Sequence, residues 1–280
     1  MKNIFSIMDD YDLFLFDLWG VVNEGDSPYL KVIDSINEVL KVKQILFVTN
    51  APRPSSVIYT RLKNWGVNLT PEMIITSGEI AGKLIADSEV NFNISNPVIY
   101  HLGRDRNPDI EAIITHKITK DIHEANIMLM TCSRNESEDL EEFDHLLKLA
   151  AKRDIINICA NPDIISPHLG INTYCSGYFA SRLESFGGDV IYTGKPDKEI
   201  YQQAFAKLPH IPKKRILMIG DTFCTDILGA NKAGIDSALV LTGNAKNFHD
   251  QYSDIDEKLW HLRNASIKEG VMPSFVIELC

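Results

Sequence analysis

The chain has 280 residues, of which 45% are hydrophobic and 24% charged, and its formal net charge is −10 at pH 7. This composition is typical of a folded globular protein and disfavours intrinsic disorder. The acidic excess argues against a surface for nucleic acid or an anionic membrane, because such surfaces cluster Lys and Arg. The apolar runs fall short of the roughly 20 residues that a membrane helix needs. The first 15 residues do not resemble a signal peptide, which predicts a cytoplasmic protein.

The N-terminal part of the chain alternates between predicted strands and helices. Residues 13–16 are continuously apolar, as in a strand buried on both faces, and the run ends at Asp17. A polar loop over residues 23–28 follows. The next predicted elements are a helix over residues 29–42, a strand over 45–50, a helix over 55–66, a strand over 73–76 and a helix over 79–87. This alternation predicts a doubly wound parallel sheet.

A second series of apolar segments begins after a polar stretch over residues 88–97. Strand-like segments occupy residues 97–103, 111–117, 125–132 and 154–163, with a helix predicted over 137–153 and another over 178–186. The first alternation then resumes, with predicted strands near residues 189–193, 215–220 and 237–241, a helical tail over 244–269 and a final strand. We therefore predict an α/β fold whose doubly wound, Rossmann-like core (residues 1–81 and 177–280) is interrupted by an inserted α/β cap domain (residues 82–176).

Polar side chains lie at the predicted carboxyl ends of four strands: Asp17, Thr49 with Asn50, Lys195, and Asp221 with Asp226. In one parallel sheet these ends share the edge at which ligands bind. Each has an ordinary explanation as well, because Asp and Thr cap helices and turns and a loop lysine is usually solvated. Together they combine carboxylates for a hard divalent cation, a lysine for phosphate charge, and hydroxyl and amide donors. This combination favours phosphoryl transfer.

Four segments in this order, together with the position of the insertion, resemble the haloacid dehalogenase superfamily. Within it, the chain is most similar to the class IIA branch of p-nitrophenylphosphatase-like proteins with a large, C2-type inserted cap. The segments are FDLWGVV (16–22), FVTNAPRP (47–54), TGKP (193–196) and GDTFCTD (220–226), with ANPD (160–163) late in the insertion. The resemblance covers essentially the whole chain, and it is more specific for the fold than for the substrate.

This resemblance implies a nucleophile and a metal site. Asp17 is expected to attack phosphorus and form an aspartyl phosphate. Magnesium is expected to bind to Asp17, to Asp221 and to the main-chain carbonyl of Trp19, with Asp226 orienting the metal's water shell. A carboxylate nucleophile needs no base to activate it.

The resemblance also implies contacts to the substrate. Thr49 and Asn50 are expected to hold the phosphoryl oxygens, and Lys195 is expected to bridge the phosphate and the nucleophile. Asn161 and Asp163, at the end of a predicted cap strand, are candidates for contacts with the substrate. A plain turn explains these two residues nearly as well.

Trp19 departs from the pattern of the family. Hydrolytic members usually carry an Asp two residues after the nucleophile, which acts as acid on the leaving group and then as base on water. Indole can do neither, and general acid–base catalysis is typically worth about a hundredfold to ten-thousandfold in rate. Glu24 could replace the acid, or it is simply an exposed loop residue. The Trp19 ring could stack on a substrate or pack under the cap.

The sequence therefore predicts a magnesium-dependent phosphatase or phosphotransferase that acts slowly on a small phosphorylated metabolite. The alternative is a catalytically weakened phospho-ligand-binding or regulatory protein that kept the pocket and lost turnover. Dehalogenase chemistry is disfavoured, because it needs no metal carboxylates. The substrate and the oligomeric state are left open, with a homodimer as one option.

Overall fold

The computed structural model describes residues 2–132, 140–153, 155–168 and 171–279. The strands in chain order are β1 (Lys2–Asn3), β2 (Leu13–Phe16), β3 (Asn23–Glu24), β4 (Ser27–Pro28), β5 (Gln44–Thr49), β6 (Ile74–Thr76), β7 (Val98–Leu102), β8 (Lys117–Thr119), β9 (Ile127–Met130), β10 (Ile156–Cys159), β11 (Ile165–His168), β12 (Ile171–Tyr174), β13 (Ile191–Tyr192), β14 (Ile216–Gly220), β15 (Asp236–Val240) and β16 (Phe275–Glu278). The α-helices are α1 (Val32–Leu40), α2 (Ser55–Asn64), α3 (Ser77–Ala86), α4 (Ser88–Phe92), α5 (Phe143–Lys152), α6 (Ser176–Ser185), α7 (Lys198–Lys207), α8 (Leu228–Ala233), α9 (Lys246–Asp250) and α10 (Ile255–Glu269).

The larger sheet has seven strands in the order β1-β16-β15-β14-β2-β5-β6, and every pairing in it is parallel. Strand β2, which lies between β14 and β5 in the interior of this sheet, is fully buried. Phe14 and Phe16 pack into the apolar cluster on one face, while Leu13 and Leu15 pack into a cluster on the other. Burial on both faces explains why this strand is uniformly apolar, and it confirms the doubly wound core.

A second parallel sheet of five strands, in the order β13-β10-β9-β7-β8, is inserted in the chain between β6 and β14. Its central strand, β9, is also fully buried. The side chains of Met128 and Met130 pack with those of α5 and α6, while Ile127 and Leu129 pack with Ala81 and Ile85 of α3 and the segment over 110–114. The fold is therefore an α/β core with an inserted α/β cap, as predicted.

The second sheet extends further along the chain than the predicted end of the cap at residue 176. Strand β13, which we assigned to the core, pairs in parallel with β10. Helix α6 also belongs to this layer, because Phe179 packs against Phe143 of α5 with their ring centroids 4.8 Å apart. A two-residue apolar segment can join either sheet, and here it covers the free edge of β10. Lys195 therefore follows an edge strand of the second sheet and not a core strand, which corrects the prediction.

Other differences from the predicted elements are local. Residues 111–117, predicted as a strand, begin within a 3₁₀ helix (Pro108–Ile113) and end at the start of β8. The helix predicted from residue 137 begins at Phe143 after a 3₁₀ turn, and residues 137–139 lie outside the described residues. The helical tail is divided, because the Asp254 side chain accepts backbone hydrogen bonds from Asp256 and Glu257 and so starts α10 anew. None of the helices in the described ranges combines the length and the hydrophobicity that crossing a lipid bilayer requires.

We expect the substitution Phe179→Ala to loosen the second sheet selectively. Removal of a fully buried ring should lower the free energy of unfolding by about 3–5 kcal/mol. Phe5→Ala, at a ring that is 44% exposed, should change it by less than about 0.5 kcal/mol. Hydrogen exchange should accelerate in β7, β9 and β10 more than in β2 and β14. Faster exchange in the core strands alone would contradict the assignment of α6 to the second layer.

Candidate active site

Asp17 lies directly after β2, at the carboxyl edge of the core sheet, and Lys195 reaches it from the loop that follows β13. The Lys195 Nζ atom is 2.6 Å from Asp17 Oδ1 and 2.7 Å from Asp226 Oδ1. The Lys195 side chain is 1% exposed, so these two carboxylates replace the water that would otherwise solvate the ammonium group. Burial alone would lower the pKa of Lys195, but Asp17 and Asp226 raise it above the ordinary value. The side chain is therefore a fixed positive charge.

Three carboxylates converge beside this lysine. Asp17, Asp221 and Asp226 each place one oxygen within 4.8 Å of the others, and all three are buried. Burial, together with the neighbouring Asp226 carboxylate, raises the pKa of Asp17 to about 7. Burial and repulsion from Asp226 and Asp17 raise the pKa of Asp221 well above its usual range. One lysine does not neutralise three carboxylates, so the cluster favours a further cation.

The backbone after β14 fixes the two acidic residues of the fourth segment. Asp226 Oδ2 accepts hydrogen bonds from the backbone amides of Asp221, at 3.2 Å, and Thr222, at 3.1 Å. Residues 223–227 form one π-helical turn, which holds Asp226 beneath this loop. Asp221 Oδ2 accepts a hydrogen bond of 2.6 Å from the backbone amide of Asn244, in the loop after β15. The two carboxylates are therefore held by different elements and point into one site.

Trp19 lies in the turn after Asp17, and its half-buried side chain lines the cavity above the carboxylates. The next residue, Gly20, has φ +84° and passes so close to Asp221 that a Cβ atom would collide with the carboxylate. This close approach explains the glycine. Glu24, considered as a replacement acid, accepts a hydrogen bond of 3.1 Å from the Tyr29 hydroxyl. Among the described residues, Glu24 does not line the cavity, whereas Asp26 of the same loop does.

Asn50 binds the Lys195 loop through its side-chain amide. Its Oδ1 atom accepts a hydrogen bond of 2.7 Å from the Lys195 backbone amide, and its Nδ2 atom donates to the Lys195 carbonyl at 3.0 Å. The same Nδ2 atom donates to Asp163 Oδ1, also at 3.0 Å. Gly194 leaves room for this contact, because a Cβ atom there would overlap with Asn50 Oδ1. Asn50 therefore positions the lysine, a role that the sequence did not indicate.

The remaining predicted residues line the same cavity. Thr49 Oγ1 accepts a hydrogen bond of 3.2 Å from the Ala51 amide and still has its own proton to donate. Asn161 Oδ1 accepts a hydrogen bond of 3.2 Å from the Asp163 amide, which closes the turn after β10. Burial raises the pKa of Asp163 to about 6. The structure thus brings Thr49, Asn50, Asn161 and Asp163 to the cavity that contains Asp17.

The cavity has a volume of about 360 Å³ and lies between the two sheets. Its cap side includes Asn107, Cys132 and residues of the β11–β12 hairpin. Its walls also hold residues that the sequence analysis missed, chiefly Arg53, Arg61, Trp65 and Arg106. The spacing of charges along α2 did not indicate that Arg61 lines the cavity, because an arginine on an amphipathic helix usually faces solvent.

Two family models match the chain. One, described as a haloacid dehalogenase-like hydrolase, matches residues 14–142, and a second, described as HAD-hydrolase-like, matches residues 192–259. The first contains Asp17, Thr49 and Asn50, and the second contains Lys195, Asp221 and Asp226. The matched regions therefore include the site residues from both parts of the core.

Two characterised relatives align over most of the chain. The D-glycerol 3-phosphate phosphatase of Mycobacterium tuberculosis is 28% identical over 243 residues, which span 85% of this chain and 65% of that protein. The 4-nitrophenylphosphatase of Schizosaccharomyces pombe is 24% identical over 264 residues, or 88% of each chain. The similarity thus extends across both the core and the insertion.

Solved structures share the whole architecture. A haloacid dehalogenase-like hydrolase from Brucella suis 1330 superposes with a TM-score of 0.80 at 26% identity, covering 99% of this chain and 98% of that one. A glycerol phosphate phosphatase from Mycobacterium tuberculosis, crystallised with magnesium, has a TM-score of 0.67 at 24% identity, covering 91% and 74%. With the four segments, the two sheets and the site geometry, these matches show that the chain belongs to the haloacid dehalogenase superfamily of hydrolases. Within that superfamily, the chain is similar to the p-nitrophenylphosphatase-like proteins.

Proposed function

We propose that this phosphoric monoester hydrolase is a magnesium-dependent phosphatase that acts on a small phosphorylated metabolite through an aspartyl phosphate on Asp17. The observation that carries the proposal is the position of Asp17. Its carboxylate lies at the wall of the cavity, 2.6 Å from a buried lysine and beside two further carboxylates. The two relatives named as phosphatases support the same reaction.

The donor set fits magnesium. Three buried carboxylates and one ammonium leave an excess of negative charge, and carboxylate and carbonyl oxygens are the ligands that this hard cation prefers. Asp17, Asp221 and the Trp19 carbonyl would hold the ion. Asp226 already binds Lys195 and two backbone amides, which suits an orienting role better than direct ligation. When bound, magnesium would neutralise charge on the phosphoryl group.

The chain's own residues carry out the other steps of the reaction. The Asp17 carboxylate attacks phosphorus, the bond from phosphorus to the leaving oxygen breaks, and water then hydrolyses the aspartyl phosphate. Lys195 keeps Asp17 oriented and adds positive charge where the phosphoryl oxygens lie. Thr49 donates its hydroxyl proton to one of those oxygens. Asn50 acts mainly through Lys195, whose backbone it holds on both sides.

The leaving oxygen needs a proton, which Trp19 does not supply. Asp163 is our candidate donor, because it is a cavity carboxyl outside the carboxylate cluster, and its raised pKa of about 6 leaves part of it protonated near neutral pH. This assignment changes the role that the sequence suggested, from substrate contact to acid. If Asp163 does not supply the proton either, the alternative is a phospho-ligand-binding protein with little turnover.

Removal of either predicted ligand should abolish turnover without unfolding the protein. We expect Asp17→Asn and Asp221→Asn to reduce hydrolysis of p-nitrophenyl phosphate below detection, and EDTA to do the same for the wild type. In EDTA, Asp221→Asn should melt at an equal or higher temperature, because it relieves repulsion between buried carboxylates. Asp250→Asn, at an exposed site, is the matched control. Undiminished turnover in EDTA would contradict the metal assignment.

Trp19→Asp should add a second leaving-group acid to the site, where only part of Asp163 is protonated near neutral pH. We expect a faster rate for alkyl phosphates, whose leaving groups need protonation, and a smaller gain for p-nitrophenyl phosphate, whose leaving group does not. The measurement is the ratio of mutant to wild-type kcat across leaving groups of different pKa. A ratio that does not vary with the leaving group would show that protonation of the leaving group does not limit the rate.

Asp163→Asn should produce the opposite pattern in the wild-type background. Loss of the proton donor should lower kcat for alkyl phosphates by about a hundredfold and leave p-nitrophenyl phosphate within a fewfold. The variant keeps an oxygen that can accept the Asn50 hydrogen bond, so the position of Lys195 should be preserved. An equal loss for both substrates would indicate a positioning role instead.

A further inference from the structure

The cavity wall carries positive charge that the phosphoryl site does not use. Arg53, Arg61 and Arg106 all line it, in a protein whose net charge is −10. Arg53 is committed to other groups, because its Nη1 atom is 2.5 Å from Asp109 Oδ2 and its Nη2 atom donates to the Arg106 carbonyl at 3.4 Å. Arg61, in contrast, has no such polar partner among the described residues.

The Arg61 guanidinium is half-buried and has no hydrogen bond or ion pair with any side chain in the part of the chain that the structure describes. Its Cζ atom lies 6.0 Å from the centroid of the Trp65 ring, so its nearest described support is aromatic. Asp26 shares the wall, but it is exposed and forms no ion pair with Arg61 among the described residues.

The surroundings of Arg61 disfavour its charge. Burial, and next the Arg53 cation, lower the pKa of Arg61 below its ordinary value, and Asp26 and Asp109 only partly offset this. An anion bound to the guanidinium would stabilise its positive charge and so raise the pKa of Arg61. Arginine binds carboxylate and phosphate through two parallel N–H donors, which makes it a selective partner for such a group.

We propose that Arg61 binds a second anionic group, a carboxylate or a phosphate, on the leaving-group side of the substrate. The inference rests on the proposed phosphatase function and narrows its substrate class to small phosphorylated acids or bisphosphates. One cavity connects Asp17 with Arg61, and its volume of about 360 Å³ is near the lower end of the range for ligand pockets. A substrate with a few carbon atoms between its two anionic groups fits this space.

Matched pairs of substrates test the proposal and separate the two anions. The first pair is 3-phosphoglycerate and glycerol 3-phosphate, which differ in a carboxylate. The second is propane-1,3-diol bisphosphate and its monophosphate. In at least one pair, we expect the wild type to favour the substrate with the second anionic group by about tenfold or more in kcat/KM, as a charged hydrogen bond allows. Arg61→Gln should remove that preference and leave kcat/KM for the two substrates without a second anionic group within about twofold.

Lys63→Gln is the control, because Lys63 is an exposed cation on the same helix and does not line the cavity. It should leave all four rates unchanged. An equal loss for all four substrates in Arg61→Gln, or a wild type that favours the substrates without a second anionic group, would overturn the proposal. If the wild type hydrolyses none of them, the phosphatase function fails. Calorimetric binding of the same pairs to wild type and Arg61→Gln then tests the anion site, and equal affinities would overturn it.

Discussion

The site depends on one buried ammonium group. Lys195 follows an edge strand of the second sheet, whereas its two partners, Asp17 and Asp226, follow strands of the core sheet. A buried ion costs several kcal/mol unless it is paired and hydrogen-bonded, so the lysine holds these carboxylates together across the two layers. It also leaves the cluster with excess negative charge. Fold and chemistry are therefore linked at this residue, because the charges that join the layers also create the demand for a cation.

Backbone contacts make this arrangement specific. The Asn50 amide binds the Lys195 backbone through both its donor and its acceptor, so the strand end of β5 sets where the lysine loop lies. Asp226 is held by two amides at the end of β14, and Asp221 by an amide from the loop after β15. Three core strands, β5, β14 and β15, are thus followed by groups that fix Lys195, Asp226 and Asp221 through hydrogen bonds to the backbone. Such pre-positioning is what phosphoryl transfer requires, since positioning and charge supply most of its catalysis.

The sequence predicted the parts of the molecule that depend on local pattern. Uniformly apolar strands and the polar residues that end them gave the parallel core and brought Asp17, Thr49, Asn50 and Asp221 to one edge. Strand β13 was placed in the wrong layer, because two apolar residues before Thr-Gly-Lys look the same in either sheet. Arg61 was missed, because the cavity that it lines is formed by segments distant in the sequence, which its spacing along α2 does not show. Both errors concern tertiary contacts, for which a single sequence carries no periodic signal.

The proposed reaction depends on the phosphorylation of Asp17 during turnover. The most direct test is to mix the wild type with an alkyl phosphate and magnesium, quench in acid within one turnover, and reduce the products with borohydride before peptide mass spectrometry. We predict that the peptide containing Asp17 carries homoserine at that position, the product of a reduced acyl phosphate, and that the adduct is absent without substrate. Turnover at a normal rate with Asp17 unmodified at every quench time would contradict an aspartyl phosphate on this residue.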